Sequence, residues 1–178
     1  MVDIHDIGKA AEEALSDAGE SGCDGGLFIV EVKGRGDEFE VFVDADGTGD
    51  DGKPRRVTVE DCVALTKAIE GRFDRELPED DFALTVSSAG IGQPLRVARQ
   101  YRKLVGRPVE VVLTGGARIA GTLEGVEGNG AGELPGRITL AYPEKQRVEG
   151  QKRPQIVTVT KTFPLAEVKS TMEYIDFK

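Results

Sequence analysis

The spacing of apolar residues changes near the middle of the chain, and this change limits the folds open to it. Before residue 93, two stretches with helical spacing alternate with three short strand-like runs. After residue 107, apolar residues occur in short β-branched runs separated by glycine-rich or charged connections. Helical spacing places apolar side chains on one stripe, whereas short alternating runs are typical of strands. The chain is therefore predicted to hold two domains of different architecture, with the boundary within 93–107.

The first domain, residues 1–93, is predicted to be an acidic, sandwich-like α/β unit with the order helix, strand, strand, helix, strand. Apolar residues three and four apart predict a first helix that ends near Gly19, and Thr58 is the expected N-cap of the second. Two strands, 27–33 and 38–44, are predicted to form a hairpin with a four-residue connection, 34–37. A third strand carries Phe82, Leu84 and Val86. We expect both helices on one face of the small sheet, an α+β arrangement.

The rest of the chain is predicted to be a linker helix followed by a small β-barrel. Pro94 suits the first position of a helix over 94–105, and Gly106 ends it. Residues 106–178 are predicted to form an SH3-like (Sm-like) barrel, with strands at 109–113, 118–123, 138–142, 156–163 and 172–177. Residues 163–168 suit the single 3₁₀ turn that closes such barrels. The polar stretch 144–153 is predicted to be a loop long enough to move.

Charge is divided unevenly along the chain. Residues 1–81 hold 9 Lys and Arg against 23 Asp and Glu, a net charge of -14, whereas residues 82–107 carry five basic residues and no acid. Residues 108–178 balance 9 against 9. An acidic surface repels nucleic acid phosphates and attracts basic partners, so this pattern favours a cationic protein partner. The simpler interpretation is that the acidic residues only support solubility.

Several classes of protein are disfavoured by the composition. The apolar runs fall short of the roughly 20 residues of a membrane span, and the N-terminus is acidic where a secretion signal is basic. Cys23 and Cys62 lack the spacing of a metal or redox motif, and we interpret them as reduced thiols. The sequence predicts a cytoplasmic protein that is neither inserted in a membrane nor secreted.

Residues that could carry chemistry do not form a catalytic pattern. The only histidine, His5, lies near the N-terminus, and Ser87 and Ser88 lack a G-x-S-x-G context. We predict that the two serines form a turn whose hydroxyls satisfy backbone groups. The run from Asp44 resembles the start of a calcium-binding loop, but Arg55 stands where a bidentate Glu is needed. The sequence therefore predicts no enzyme, no metal, no cofactor and no small-molecule substrate.

One basic patch is the candidate binding site. Five cations follow the predicted boundary in close succession, and three of them are expected to share a helix face, Arg96, Arg99 and Lys103. The other two flank that face: Arg102 and Arg107. Contact with phosphates and an ion pair with the acidic domain are the two alternatives for this patch.

Three stretches in register carry a family resemblance. They are 57–74, 82–95 and 100–107, and the second holds a turn formed by Ser87, Ser88, Gly90 and Pro94. Together they resemble the ribosome maturation factor RimP family over nearly the whole chain. The chain departs from that family's pattern at Ala89, where the family commonly has Pro, and at 92–93, where it has an Asp-Arg pair.

The resemblance implies both a fold and a function. It implies an N-terminal α/β domain, a C-terminal SH3-like barrel, and the role of an assembly chaperone that binds the immature small (30S) ribosomal subunit. It further implies contact with small-subunit ribosomal protein twelve, a basic protein. The alternative is an adaptor that binds RNA directly through a KH-like or Sm-like domain. No G-x-x-G stands at a predicted helix–helix turn, and this absence and the charge of -14 argue against a KH-like domain, while direct contact with rRNA stays open.

Overall fold

The chain divides into two units, Met1–Gly90 and Ile91–Lys178. A computed structural model describes residues 1–20, 26–73, 81–128 and 134–175. The described residues form three α-helices and eight strands in two sheets, so the predicted α+β class is confirmed. Cys23 lies outside the described residues.

The first unit has two helices and a three-stranded sheet. The helices are α1 (Ile4–Glu20) and α2 (Val59–Glu70), and the strands are β1 (Leu27–Arg35), β2 (Glu38–Ala45) and β3 (Ala83–Ser88). The sheet order is β1-β2-β3, with β1 antiparallel and β3 parallel to β2. The predicted order of elements is therefore confirmed.

The core of the first unit lies on one side of its sheet. Phe39, Val41 and Val43 alternate along β2 and are buried, because successive side chains of a strand point to opposite faces. Ile7 of α1 and Ile69 of α2 belong to the same buried cluster. Both helices thus pack on one face of the sheet, as predicted.

The β1–β2 connection is shorter than predicted. Gly34 still pairs with Phe39 and Arg35 with Glu38, so the turn consists of Gly36 and Asp37 alone. Gly36 has a φ of 65°, and two-residue hairpin turns require positive φ. Gly34 belongs to the strand, where a Cβ would lie 2.9 Å from the Phe39 ring, so the close packing at this position requires glycine. The four-residue connection was wrong because this glycine serves close packing instead of a turn.

Helix α2 begins with a capping box. The Asp61 N–H donates to Thr58 Oγ1 at 3.1 Å, and the Thr58 N–H donates to Asp61 Oδ2 at 2.9 Å. The Arg55 guanidinium pairs with the same carboxylate at 3.2 Å. The predicted N-cap is confirmed, and Asp61 serves two local contacts at once.

The second unit has one short helix and five strands. They are α3 (Ala98–Lys103), β4 (Pro108–Leu113), β5 (Arg118–Gly128), β6 (Pro135–Gln146), β7 (Gln155–Pro164) and β8 (Val168–Glu173). All pairs are antiparallel, in the order β7-β6-β5-β4-β8. Fully buried apolar residues from three strands form the core: Val109, Val111, Leu123, Ile138 and Leu140.

The predicted 3₁₀ turn is present, but the predicted barrel is not confirmed. A 3₁₀ turn at Leu165–Glu167 joins β7 to β8, which confirms the predicted turn. Within the described ranges, however, no strand pairing joins β7 to β8, so hydrogen bonds do not close the sheet. The SH3-like barrel stays a prediction.

The helix predicted over 94–105 is wrong in its bounds. Helix α3 begins at Ala98, and Pro94 instead forms an isolated bridge with Met172. The Leu95 N–H donates to the Thr171 carbonyl at 2.7 Å, so the chain before α3 is extended along β8. Strand pairing prevails here over the preference of proline for the first position of a helix.

Two further bounds differ in the second unit. Strand β8 begins at Val168, which pairs with Leu113, and ends at Glu173, earlier than the predicted 172–177. The predicted loop 144–153 is shorter, because residues 144–146 belong to β6 and pair with β7. Its polar residues show no apolar alternation, so the sequence did not reveal these pairs.

A two-stranded ribbon extends beyond the rest of this sheet. Strand β5 pairs with β6 only as far as Ala141, whereas β6 continues to pair with β7 up to Gln146 and Gln155. Among the residues that the structure describes, 142–146 and 155–159 therefore pair only with each other, over a length of about 16 Å at the usual rise of a strand. Residues 142–159 are called the ribbon below. All residues of its end, 145–156, are exposed; these are called the ribbon tip.

No helix in the described part of the chain combines the length and the apolar character needed to cross a membrane.

Candidate functional site

The serine turn ends β3 and is held by backbone groups. The Gly90 N–H donates to Ser88 Oγ at 3.1 Å, so the prediction that a serine hydroxyl satisfies the turn is confirmed for Ser88. The Ala89 N–H donates to the Val43 carbonyl at 2.7 Å. Gly90 has a φ of 74°, a conformation that favours glycine. The geometry gives Ser88 a structural role, while Ser87 is the residue of β3 that pairs with Phe42 of β2.

Cys62 lies near this turn on α2. Burial, followed by the negative charge of Asp61, raises the pKa of the Cys62 thiol, although a hydrogen bond with the Ser88 backbone acts in the opposite direction. A raised pKa keeps the group as a thiol at neutral pH, and the thiol is less reactive than the thiolate. This arrangement suits a structural cysteine better than a nucleophile.

The basic segment, residues 96–107, belongs to the second unit and surrounds α3. The helix is anchored by Ala98, Tyr101 and Leu104, each buried in the core of that unit. Burial raises the pKa of the Tyr101 hydroxyl. Tyr101 was the one aromatic residue within the predicted patch, and its burial means that it offers no stacking surface to a partner.

Gln100 caps this helix from inside, a feature that the sequence analysis missed. Its Oε1 accepts hydrogen bonds from the N–H groups of Arg96 at 2.7 Å and Val97 at 3.3 Å. The side chain is buried, and these bonds compensate for its removal from water. A Gln at the third helical position is half of a capping box, which is the signal that could have revealed it.

The five cations differ in exposure. Arg96, Arg99 and Arg102 are exposed, whereas Lys103 and Arg107 are half-buried. Arg99 and Lys103 lie four residues apart on α3 and share a face, as predicted. Arg96 precedes the helix, so its predicted place on that face was wrong. Guanidinium and ammonium groups at this density suit carboxylate or phosphate partners.

Metal binding finds no support in the described residues. Within 1–20, 26–73, 81–128 and 134–175, no group of three His, Cys, Asp or Glu side chains is placed to hold an ion. In the region that resembled a calcium loop, the Asp44 carboxylate accepts the Ala45 N–H at 2.7 Å, and Asp51 accepts the Lys53 N–H at 3.0 Å. These carboxylates satisfy local backbone groups.

Comparison with known proteins places the chain in a family. The fold is that of an α+β protein with two units of different architecture, and the second unit carries a basic segment. The family described as the RimP N-terminal domain matches residues 20–92. The chain is 30% identical over 176 residues to the ribosome maturation factor RimP of Porphyromonas gingivalis, covering 98% of this chain and 100% of that protein.

Two other relatives match over shorter stretches. The ribosome maturation factor RimP of Christiangramia forsetii is 46% identical over 63 residues, 35% of this chain and 37% of that protein. That of Flavobacterium psychrophilum is 36% identical over 85 residues, 48% of this chain and 49% of that protein. The chain belongs to the RimP family of ribosome maturation factors, which confirms the resemblance seen in the sequence.

Proposed function

We propose that the protein is a cytoplasmic maturation factor of the small (30S) ribosomal subunit, which acts by binding a subunit precursor and catalyses no reaction. The observation that carries this proposal is the end-to-end match to a ribosome maturation factor. The match includes both units, so the proposed role belongs to the whole chain and not to the N-terminal domain alone.

The proposed protein partner is small-subunit ribosomal protein twelve, a basic protein. The first unit contains 9 basic and 23 acidic residues, a net charge of -14 within 90 residues. Such a surface attracts a cationic protein over about a Debye length, roughly 8 Å at physiological salt. It also opposes premature contact between that partner and RNA, which is the work of an assembly chaperone.

The second unit is proposed to form an SH3-like (Sm-like) barrel that holds the ribosomal protein. Its five antiparallel strands, and the 3₁₀ turn between β7 and β8, support this proposal. A barrel would shield the outer edges of β7 and β8 from unwanted strand pairing.

The basic segment is proposed to help dock the factor on the precursor. Arg99 and Lys103 share a face of α3, so reversing both charges with Arg99→Glu/Lys103→Glu should reduce co-sedimentation with small-subunit precursors. A matched control is Arg118→Glu/Lys169→Glu, which changes the net charge of the same unit equally. Unchanged co-sedimentation of the first variant would remove the basic segment from the proposal.

The role in assembly is tested by ribosome profiles of cells that lack the protein. We expect free small subunits with unprocessed rRNA to accumulate on a sucrose gradient, and the wild-type gene to restore the normal profile. A normal profile without the protein would contradict the proposed function.

A direct RNA-binding adaptor is the second candidate. It is favoured by the charge of the second unit, where 14 basic residues face 9 acidic ones, a net charge of +5. Binding of the purified chain to ribosomal protein twelve and to RNA, measured side by side, separates the two candidates.

A further inference from the structure

Basic residues of the second unit differ in whether an acidic residue faces them. Arg118 pairs with Glu110 at 3.3 Å, and Lys161 pairs with Glu144 at 3.2 Å. Arg137 likewise lies 3.9 Å from a carboxylate oxygen of Glu127. At these three positions, then, the charge of a cation is offset by an acidic neighbour.

The ribbon tip lacks such neighbours. It carries four cations and a single acid, Glu149. Among the residues that the structure describes, none of the four forms an ion pair: Lys145, Arg147, Lys152 and Arg153. A net charge of +3 is thus concentrated on twelve exposed residues at one end of the unit.

Backbone and side-chain hydrogen bonds keep the two ends of the ribbon tip together. Its end is closed by a turn in which the Gln151 N–H donates to the Val148 carbonyl at 3.1 Å, and Gly150 has a φ of 86°. The Gln155 side chain donates to Gln151 Oε1 at 2.5 Å, which ties the turn to β7. At the base of the ribbon, Lys161 bonds to Glu144. Lys145 therefore lies on a paired strand, whereas Arg147, Lys152 and Arg153 lie in the connection 147–154, whose two ends are held together by that pairing.

We propose that the ribbon tip binds the phosphate backbone of RNA, which in the cell is the rRNA of the subunit precursor. The identification of the RNA as rRNA rests on the proposed function. The phosphate contact is inferred from the charge and exposure of the ribbon tip alone. The guanidinium groups of Arg147 and Arg153 can each donate hydrogen bonds to two phosphate oxygens, and the lysine ammonium groups add positive charge.

An acidic protein is the other partner that cations could serve, and the tip suits it less well. Protein interfaces are centred on buried aromatic or large apolar anchors. The tip has no aromatic residue, and its two large exposed aliphatic side chains, Val148 and Ile156, lie on opposite sides of the turn. Without aromatic residues for base stacking, RNA contact should also show little sequence preference.

The test measures RNA binding by the full chain. The probe is a fluorescein-labelled RNA duplex of about 20 base pairs and mixed sequence, followed by anisotropy across a salt series. The tip variant is Arg147→Gln/Lys152→Gln/Arg153→Gln. The matched control is Arg118→Gln/Arg137→Gln/Lys169→Gln, which removes the same charge from the same unit. Urea unfolding followed by tyrosine fluorescence checks that both variants keep the wild-type fold.

The wild-type chain should bind the probe with an affinity that falls steeply with salt. The tip variant should lose about 10-fold or more in affinity at low salt, and the slope of log affinity against log salt should decrease by about 2 to 3, since three phosphate contacts are lost. The control should stay within about threefold of the wild type. No binding by the wild-type chain, or equal losses in both variants, would overturn the proposal.

Two further results separate this inference from the proposed function. Unchanged RNA affinity of the tip variant, together with lost co-sedimentation with precursors, would assign the ribbon to a protein contact and refute the RNA contact. If cells lacking the protein have a normal ribosome profile, while RNA binding by the purified chain still depends on the tip, the proposed function is refuted. The contact between the ribbon tip and RNA phosphates is then still supported.

Discussion

The two units are nearly equal in length but opposite in charge. Met1–Gly90 has a net charge of -14 and Ile91–Lys178 a net charge of +5, yet each buries its own apolar core. Both cores consist of aliphatic and aromatic residues, and most of the charged side chains lie at the surface. Because core packing is satisfied equally well in both, the fold does not require this division of charge. The difference teaches that the two cores do not depend on the sign of the surface charge around them.

The largest expected effect concerns the independence of the two cores. Leu123→Ala should destabilise the second unit by about 3 kcal/mol, because Leu123 is fully buried, and should leave the first unit unchanged. All three tyrosines, Tyr101, Tyr142 and Tyr174, lie in the second unit, and the chain has no Trp. Tyrosine fluorescence in urea therefore follows the second unit, while helical circular dichroism follows mainly α1 and α2.

The converse variant, Ile69→Ala, should shift the dichroism transition and spare the fluorescence transition. If either variant moves both transitions equally, the two units unfold as one cooperative body. That result would contradict the prediction that each core is stabilised independently.

The next effect tests close packing within the second sheet. A Cβ at Gly121 would lie 2.5 Å from the Ala141 carbonyl oxygen and 2.8 Å from Tyr142 Cβ. Gly121→Ala should thus cost about 1 to 3 kcal/mol in the fluorescence transition. Gly125→Ala, on the same strand, meets nothing within 4 Å and serves as its control. Equal midpoints for the two variants would show that β5 and β6 approach less closely than described.

A smaller effect is expected at the α2 cap in the first unit. Thr58→Ala removes the side-chain half of the capping box and should cost about 1 kcal/mol in the dichroism transition. Thr66→Ala, within the same helix, should be neutral or slightly stabilising, since alanine favours helix. Equal destabilisation by both changes would argue against a specific role for the cap.

The smallest effect is expected at Thr171. Its Oγ1 is buried and, within the described residues, makes no hydrogen bond of acceptable geometry, although the hydroxyl interacts with that of Tyr101. Thr171→Val keeps the shape and removes a poorly satisfied polar atom, so stability of the second unit should be unchanged or higher by up to about 1 kcal/mol. A clear loss in the fluorescence midpoint would mean that the Tyr101–Thr171 interaction stabilises the core.

Local sequence signals predicted most of the elements. Alternation of Phe39, Val41 and Val43 indicated the buried face of β2, and Thr58 indicated the start of α2. These signals act over a few residues, so the sequence alone contains them. The division of charge, from which the basic segment was inferred, is likewise visible without a structure.

Long-range pairing explains the remaining differences. Pro94 forms a β-bridge with Met172, 78 positions away in the sequence, and no local pattern predicts that bridge. The predicted polar loop holds for 147–153, but the pairs Lys145–Ile156 and Gln146–Gln155 were not predicted, since they form through backbone groups that any residue provides. Polar residues on a two-stranded ribbon have no core face, and so they show no apolar period.

Titration of the purified chain with small-subunit ribosomal protein twelve, from about 50 to 400 mM salt, tests the charge-based account most directly. The account predicts that affinity falls by at least about tenfold over this range, and that Glu38→Gln/Glu40→Gln, two exposed acids of β2, weakens binding at low salt. Glu149→Gln/Glu167→Gln, an equal change in the second unit, should have little effect. Affinity that does not depend on salt, or equal losses in both variants, would contradict the claim that the acidic unit recruits a cationic ribosomal protein.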